Sequence, residues 1–345
     1  MSDLFDYKKE MSALRFTNEQ KAALAKAAAE TARSQTSRKR RPAFRAGLIA
    51  AVGAAVLVVG SSAAGILPEP IDVFAPIFGG TVAQTEVIDK IGHPIGASDS
   101  DGGITISADA IMGDEYNAVI VYTLSRDDGE RFLPEGKTLE NSSLLMGGFG
   151  GASWVQGGSH GTAWFVDEDP EDNKVQLVEA TSSDVSLTKG TASTEFHDLR
   201  YWNGETETDE LLYSGNWKFR FKVNYEDCSI RLGGGETFTQ DGMDFAIDEV
   251  RISPIAFKVD YTVNTEAVQS GGENGEEPPR MRFLENIEIL LTKADGTVMN
   301  LSGSGGSVHT EPGVSVCTKG EIFEEIIPLE DMASISVGGV VYTID

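Results

Sequence analysis

The 345-residue sequence predicts a mainly β fold: a short α-helical arm, one transmembrane helix, then two antiparallel β-sandwich-like modules. Three observations lead there. Residues 46–67 run for 22 positions without a charge, directly after a cluster of five basic residues. Beyond them apolar and polar residues alternate in short runs, as over residues 217–223. Glycine contributes 38 residues, which suits turn-rich β structure better than long helices.

The arm covers residues 1–37. Leu4, Tyr7, Met11 and Leu14 recur at spacings of three and four, the signature of one apolar helix face. Thr17-Asn18-Glu19-Gln20 reads as a capping box, so a second helix is expected over residues 18–33, with Leu24 its only large aliphatic side chain. Two helices with so little apolar bulk bury too little surface to be strongly stable alone. One reading is a docking element in which Leu4, Tyr7, Met11, Leu14, Phe16 and Leu24 contact a cytoplasmic partner; the other is a poorly ordered tail that only orients the membrane helix.

Residues 38–45 hold Arg38, Lys39, Arg40, Arg41 and Arg45, and residues 46–67 follow as the expected transmembrane helix. At a rise of 1.5 Å per residue the run spans about 33 Å, against roughly 30 Å of hydrocarbon. A cleaved signal fits less well, because 45 residues precede the run. A buried core helix would show a polar face or flanking caps. The basic cluster places the N-terminus in the cytoplasm and the C-terminus outside, in a single pass through the cell membrane.

Charge divides at the same place. Before Ala46 there are 11 Lys plus Arg against 5 Asp plus Glu; after Leu67 there are 17 against 49, within an overall net charge of -26. An outer region this acidic is repelled by nucleic acid and by anionic lipid headgroups, so nucleic acid is excluded as its partner. Membrane lipid is an expected partner.

The outer region is expected to form a first β module over residues 68–225 and a second over residues 226–345. Trp217, Phe219, Phe221 and Val223 share one strand face and Lys218, Arg220 and Lys222 the other. Phe257, Val259, Tyr261 and Val263 repeat the pattern around Lys258, Asp260 and Thr262. Asp101-Gly102 leads to Tyr122-Thr123 much as Asp241-Gly242 leads to Tyr261-Thr262, with one residue of difference in length, which suggests two related modules. Helix outside is expected only over residues 82–91, with a turn near residues 322–325. Residues 271–279 read as an exposed hairpin loop.

No catalytic constellation stands out. Gly157-Gly158-Ser159-His160-Gly161 has the spacing of a nucleophile elbow, but the strand-like run from Thr162 to Val166 follows where a helix is required. Asp167, Asp169, Glu171 and Asp172 could offer oxygens to calcium, yet Pro170 and a missing glycine break the EF-hand loop; a solvated acidic turn is the default. His93, His160, His197 and His309 lack zinc-ligand spacing. Cys228 and Cys317 fit either a disulfide across the second module or two separate buried thiols. With no phosphate-binding, dinucleotide or metalloprotease signature, the chain is expected to bind rather than catalyse, without cofactor or metal.

Thr85-Glu86-Val87-Ile88-Asp89-Lys90-Ile91-Gly92-His93-Pro94-Ile95-Gly96 leads into Asp101-Gly102-Gly103-Ile104-Thr105-Ile106, and Gly215-Asn216-Trp217-Lys218-Phe219 forms a Gly-x-Trp-x-Phe strand. With the arm and membrane helix, these motifs make the chain resemble bacterial membrane-anchored, anti-sigma-factor-like proteins with an extracytoplasmic domain of unknown function. The resemblance implies an arm that binds an extracytoplasmic-function sigma factor and outer domains that sense an envelope component. Residues 1–45 contain no Cys or His, which excludes the zinc-binding form of such an arm. The alternative is a non-regulatory envelope binding or structural protein anchored by its N-terminal helix.

Overall fold

The two β modules are preceded by a helical hairpin that the sequence announces only in part. The computed structural model describes residues 67–140, 142–147, 151–154, 157–266, 282–285 and 287–344; the arm, Arg38 to Arg45 and the apolar run up to residue 66 lie outside them, as do residues 271–279. Among the described residues no helix is long and apolar enough to cross a membrane. Helix α1 spans Pro70–Phe78 and α2 spans Val82–Ile91. The expected helix is α2, started by a capping box in which Thr81 Oγ1 accepts from Gln84 N–H and Gln84 Oε1 accepts from Thr81 N–H. The unexpected one is α1. Pro70 occupies its first turn, where no intrahelical N–H is required, and Val73, Phe74 and Phe78 form its buried face.

Each module is a sandwich of two antiparallel sheets. In the first, β1 (Gly92–Asp101), β2 (Ile104–Gly113), β3 (Asn117–Arg126), β6 (Lys174–Ser183) and β5 (Ser159–Val166) lie side by side in that order. Facing them are β4 (Ser142–Gly147), β7 (Lys189–Asn203) and β8 (Thr208–Asn224). In the second, β9 (Ile230–Gly233) and β10 (Thr237–Gln240) both border β11 (Met243–Ile252), followed by β12 (Ala256–Val263), β16 (Val314–Ile322) and β15 (Gly306–Glu311). Its facing sheet runs β14 (Val298–Asn300), β13 (Ile289–Lys293), β17 (Met332–Val337), β18 (Val340–Thr343). The chain therefore visits the two sheets in the same order in both modules.

The likeness extends to individual residues. Both first hairpins turn through two left-handed residues, Gly102 and Gly103 (φ 58° and 82°) or Asp241 and Gly242 (φ 52° and 73°). Matching Asp-Gly to Asp-Gly in sequence is thus one residue out of register: the turn positions correspond at a constant offset of 139, with no length difference. At that offset each second strand carries a bulge, at Asp109 and at Asp248. Each bulge carboxylate accepts the hydroxyl of the Tyr-Thr pair, from Thr123 at 2.5 Å and from Thr262 at 2.8 Å.

Inside the sandwiches the period-two reading holds where one face meets a core and the other meets water. On β8, Trp217, Phe219, Phe221 and Val223 are buried while the residues between them are exposed. Trp217 Nε1 donates to Ile104 O across the core at 2.9 Å. Gly215 is required beside it, since a Cβ there would sit 2.4 Å from the indole ring. The outer edge of β8 is closed by side chains: Asp101 and Asp99 accept from Asn216 N–H and Lys218 N–H at 2.9 Å.

Each core also holds a charged side chain that the sequence pattern does not reveal. Glu179 on β6 is buried, accepting from Tyr122 Oη at 2.8 Å and from Ala152 N–H at 2.7 Å. Lys319 on β16 is buried and donates from Nζ to Leu284 O at 2.6 Å and Ser302 O at 2.5 Å. The two are structurally equivalent, for Glu179 pairs with Ile120 and Lys319 with Val259, themselves 139 positions apart. Both tie the connection that crosses between sheets, one by accepting from a backbone N–H and the other by donating to backbone carbonyls.

The modules meet through equivalent turns. Asp114, between β2 and β3, accepts from Tyr116 N–H and Asn117 N–H; Ser253, between β11 and β12, accepts from Ile255 N–H and Ala256 N–H. Ser253 Oγ then donates to Asp114 Oδ2 at 2.6 Å, both residues being buried. Around this bond Tyr116 lies against the Arg251 guanidinium and the Lys258 ammonium, 5.5 Å and 4.5 Å from its ring centre. Arg251 also pairs with Glu115 at 2.8 Å. Lys258, expected on a polar outer face, is therefore buried, because the first module covers that face and Asp260 neutralises it. On the other side Ile255 joins the apolar cluster of Met112, Val119, Phe74 and Ile88. The helical hairpin closes the junction: Ile326 N–H donates to Phe78 O at 3.0 Å and Gln84 Nε2 donates to Ile326 O at 2.9 Å.

Cys228 and Cys317 are not bonded. Cys317 is buried in the second core and Cys228 packs against the cluster beneath the helical hairpin, its thiol 3.5 Å from Gly113 O. Burial pushes the Cys317 thiol up to about 12 and raises that of Cys228 as well, so both are held protonated and unreactive.

Asp114→Ala is expected to lower the stability of the full chain by about 3 kcal/mol in denaturant unfolding, since it strands several buried donors, whereas Ser253→Ala costs about 1 kcal/mol. A second prediction concerns pH. Burial holds the Glu179 carboxyl above its ordinary 4.5 in the folded chain. Between the two values the folded state retains a proton that the unfolded chain releases, so this group's contribution to stability falls as pH rises through the raised pKa. Glu179→Gln should flatten the decline in unfolding midpoint as pH rises above the ordinary carboxylate range; an unchanged slope would place the decline elsewhere.

Candidate functional site

A concavity lies where α1, the outer face of β5 and β6, and the end of β16 approach one another. It has a volume of about 600 Å³, within the range of small-molecule pockets. Period two along β5 sends His160, Thr162 and Trp164 into it, and along β6 it sends Ala180 and Ser182. Phe78 closes one end, its ring edge-on to Trp164 at 6.3 Å. The second module supplies the opposite wall, including Glu321, Ile322 and Glu324.

The electrostatics of the cleft are one-sided. Glu321 and Glu324 line it, and among the described residues no lysine or arginine does. Burial, with repulsion from Glu324, holds the Glu321 carboxyl above its ordinary range, against the opposing pull of Lys319 and His160. His160 bridges the mouth, with Nε2 3.4 Å from Gly320 O in the other module. A hydrogen-bonded chain connects the wall to the junction: Ser182 Oγ donates to Asn117 Oδ1 at 2.6 Å, and Asn117 Nδ2 donates to Asp114 Oδ1 at 2.9 Å. The cleft thus combines an apolar, aromatic interior with an acidic lip, an arrangement suited to holding a molecule.

Of the elbow-like motif, His160 and Gly161 line the cleft; the other candidate site residues lie elsewhere. Leu4, Tyr7, Met11, Leu14, Phe16, Leu24 and the basic residues Arg38 to Arg45 fall outside the described residues. Ser159 is exposed and opens strand β5, so it does not occupy a strand-to-helix elbow. Asp167, Asp169, Glu171 and Asp172 occupy the turn between β5 and β6, where Asp169 and Asp172 accept backbone N–H groups from Glu171 and Lys174. Among the described residues no group of three or more His, Cys, Asp or Glu could hold a metal ion. His93 stacks on Tyr225 with ring centres 6.4 Å apart, and His197 is 3.2 Å from Glu195. Trp164, Phe78, Glu321 and Glu324 carried no motif that would have marked them.

No family model matches the chain, and no curated protein matches it. Two solved structures are similar to it. One is the conserved domain protein from Bacillus anthracis, at 14% identity and a TM-score of 0.47 over 78% of this chain and 84% of that one. The other is the N-terminal periplasmic domain of ScsB from Proteus mirabilis, at 7% identity and a TM-score of 0.17 over 71% of this chain and 94% of that one.

Proposed function

We propose that the chain is a single-pass regulatory membrane protein of the anti-sigma-factor-like kind, whose outer tandem β-sandwich receives an envelope component in the cleft between its modules. The observation that carries this reading is the uncharged run at residues 46–67, set between a basic arm and a strongly acidic outer region. The cleft supports the outer half, being pocket-sized, with aromatic and apolar side chains beside an acidic lip. In the inner half, Leu4, Tyr7, Met11, Leu14, Phe16 and Leu24 hold an extracytoplasmic-function sigma factor. A second reading, an envelope binding protein that the arm merely anchors, keeps the same cleft and is favoured by the single large aliphatic residue of the second arm helix.

Photo-crosslinking from position 14 or 24 of the full chain, in cells, separates the two. The expected product contains a sigma factor, and its yield falls about tenfold when Leu4 and Met11 are both replaced by Asp, the loss of about 1.4 kcal/mol of contact. Absence of any sigma-factor product from either position removes the regulatory reading and leaves the anchored binding protein. Thiol labelling of cells cannot report the orientation, since both cysteines are buried or half-buried; a protease site inserted after Gly313, in the exposed turn between β15 and β16, should be cut from outside the membrane.

A further inference from the structure

The proposed ligand cleft has a chemistry of its own. Its interior offers Phe78, Trp164 and Ile322, side chains that recognise a flat or branched apolar body through dispersion and burial. Its lip offers Glu321 and Glu324, and among the described residues the lining holds no lysine or arginine, only the imidazole of His160. An anion brought to this lip meets repulsion and a neutral polar group gains little. A cation is favoured twice, by the carboxylates and by the indole face of the half-buried Trp164. The size fits such a molecule too, since about 600 Å³ admits an organic cation several rings in extent and far exceeds what a bare metal ion needs.

We infer that the cleft binds an organic ammonium, its cationic head between Glu321 and Glu324 and its apolar body against Trp164, Phe78 and Ile322. This rests on the reading of the cleft as the ligand site. The carboxylates select the charge and the aromatic wall supplies most of the affinity. His160, bridging to Gly320 O, sets how far the two walls stand apart at the mouth.

Three probes that differ in one group test this: naphthylethylamine, naphthylethanol and naphthylacetate, titrated calorimetrically against the full chain in zwitterionic nanodiscs, with protein-free discs subtracted. The ammonium is expected to bind about tenfold more tightly than the alcohol, and the acetate more weakly than either. The double variant E321Q/E324Q should reduce the ammonium to the affinity of the alcohol while leaving the alcohol unchanged; both positions are exposed, so folding is retained. Trp164→Ala should weaken all three. Equal binding of ammonium and alcohol to the native chain overturns the cation preference and leaves the cleft as an apolar ligand site. No heat from any of the three overturns the ligand-site reading together with the inference.

Discussion

A hydrogen bond between two equivalent turns determines how this molecule is put together. Asp114 organises the turn of one module by accepting its backbone N–H groups, and Ser253 does the same for the turn of the other. Joining them at 2.6 Å merges two local devices into one buried network. Everything at the junction follows from that contact. It sets Tyr116 between two cations, puts Ile255 beneath the helical hairpin, and through Asn117 and Ser182 fixes one wall of the cleft. The cleft is therefore a product of the junction and not of either sandwich alone.

Glu179 and Lys319 show how one architecture tolerates opposite charges at one position. A buried ion is costly unless hydrogen bonds replace its water. Each site draws on segments that cross between the sheets, the carboxylate receiving one N–H group besides the Tyr122 hydroxyl and the ammonium meeting two carbonyls. The requirement is that the crossing segment be tied down; the sign of the charge only decides which backbone group turns inward.

How much of this was legible in sequence depended on what each face meets. The strand at residues 217–223 could be read directly because one side packs on a core and the other on water. Strands β2 and β3 were legible through the repeat and not through alternation, since the helical hairpin covers their second face and nearly every residue is buried. Lys258 looked solvent-facing for the same reason in reverse: a neighbouring module, unseen in the local pattern, supplies Tyr116 above it. Helix α1 was hidden by its prolines, and the repeat was visible but misregistered by one residue because aspartate precedes glycine in both turns at different structural positions. The cleft was illegible, its walls being drawn from residues more than two hundred positions apart, from Phe78 to Glu324.

The equivalence of the contacting turns carries a consequence for the origin of the pairing. When a residue meets its own counterpart, and Tyr116 meets Arg251 and Lys258 as Ile255 meets Met112 and Val119, the interface has the reciprocal form of a symmetric homodimer. In such a dimer position 114 would face itself, and two carboxylates would repel where one hydrogen bond now forms. Covalent fusion removes that restriction. Each half can specialise, one as donor and one as acceptor, one with an aromatic wall and one with an acidic lip, so the asymmetry of the cleft is something only the fused pair could acquire.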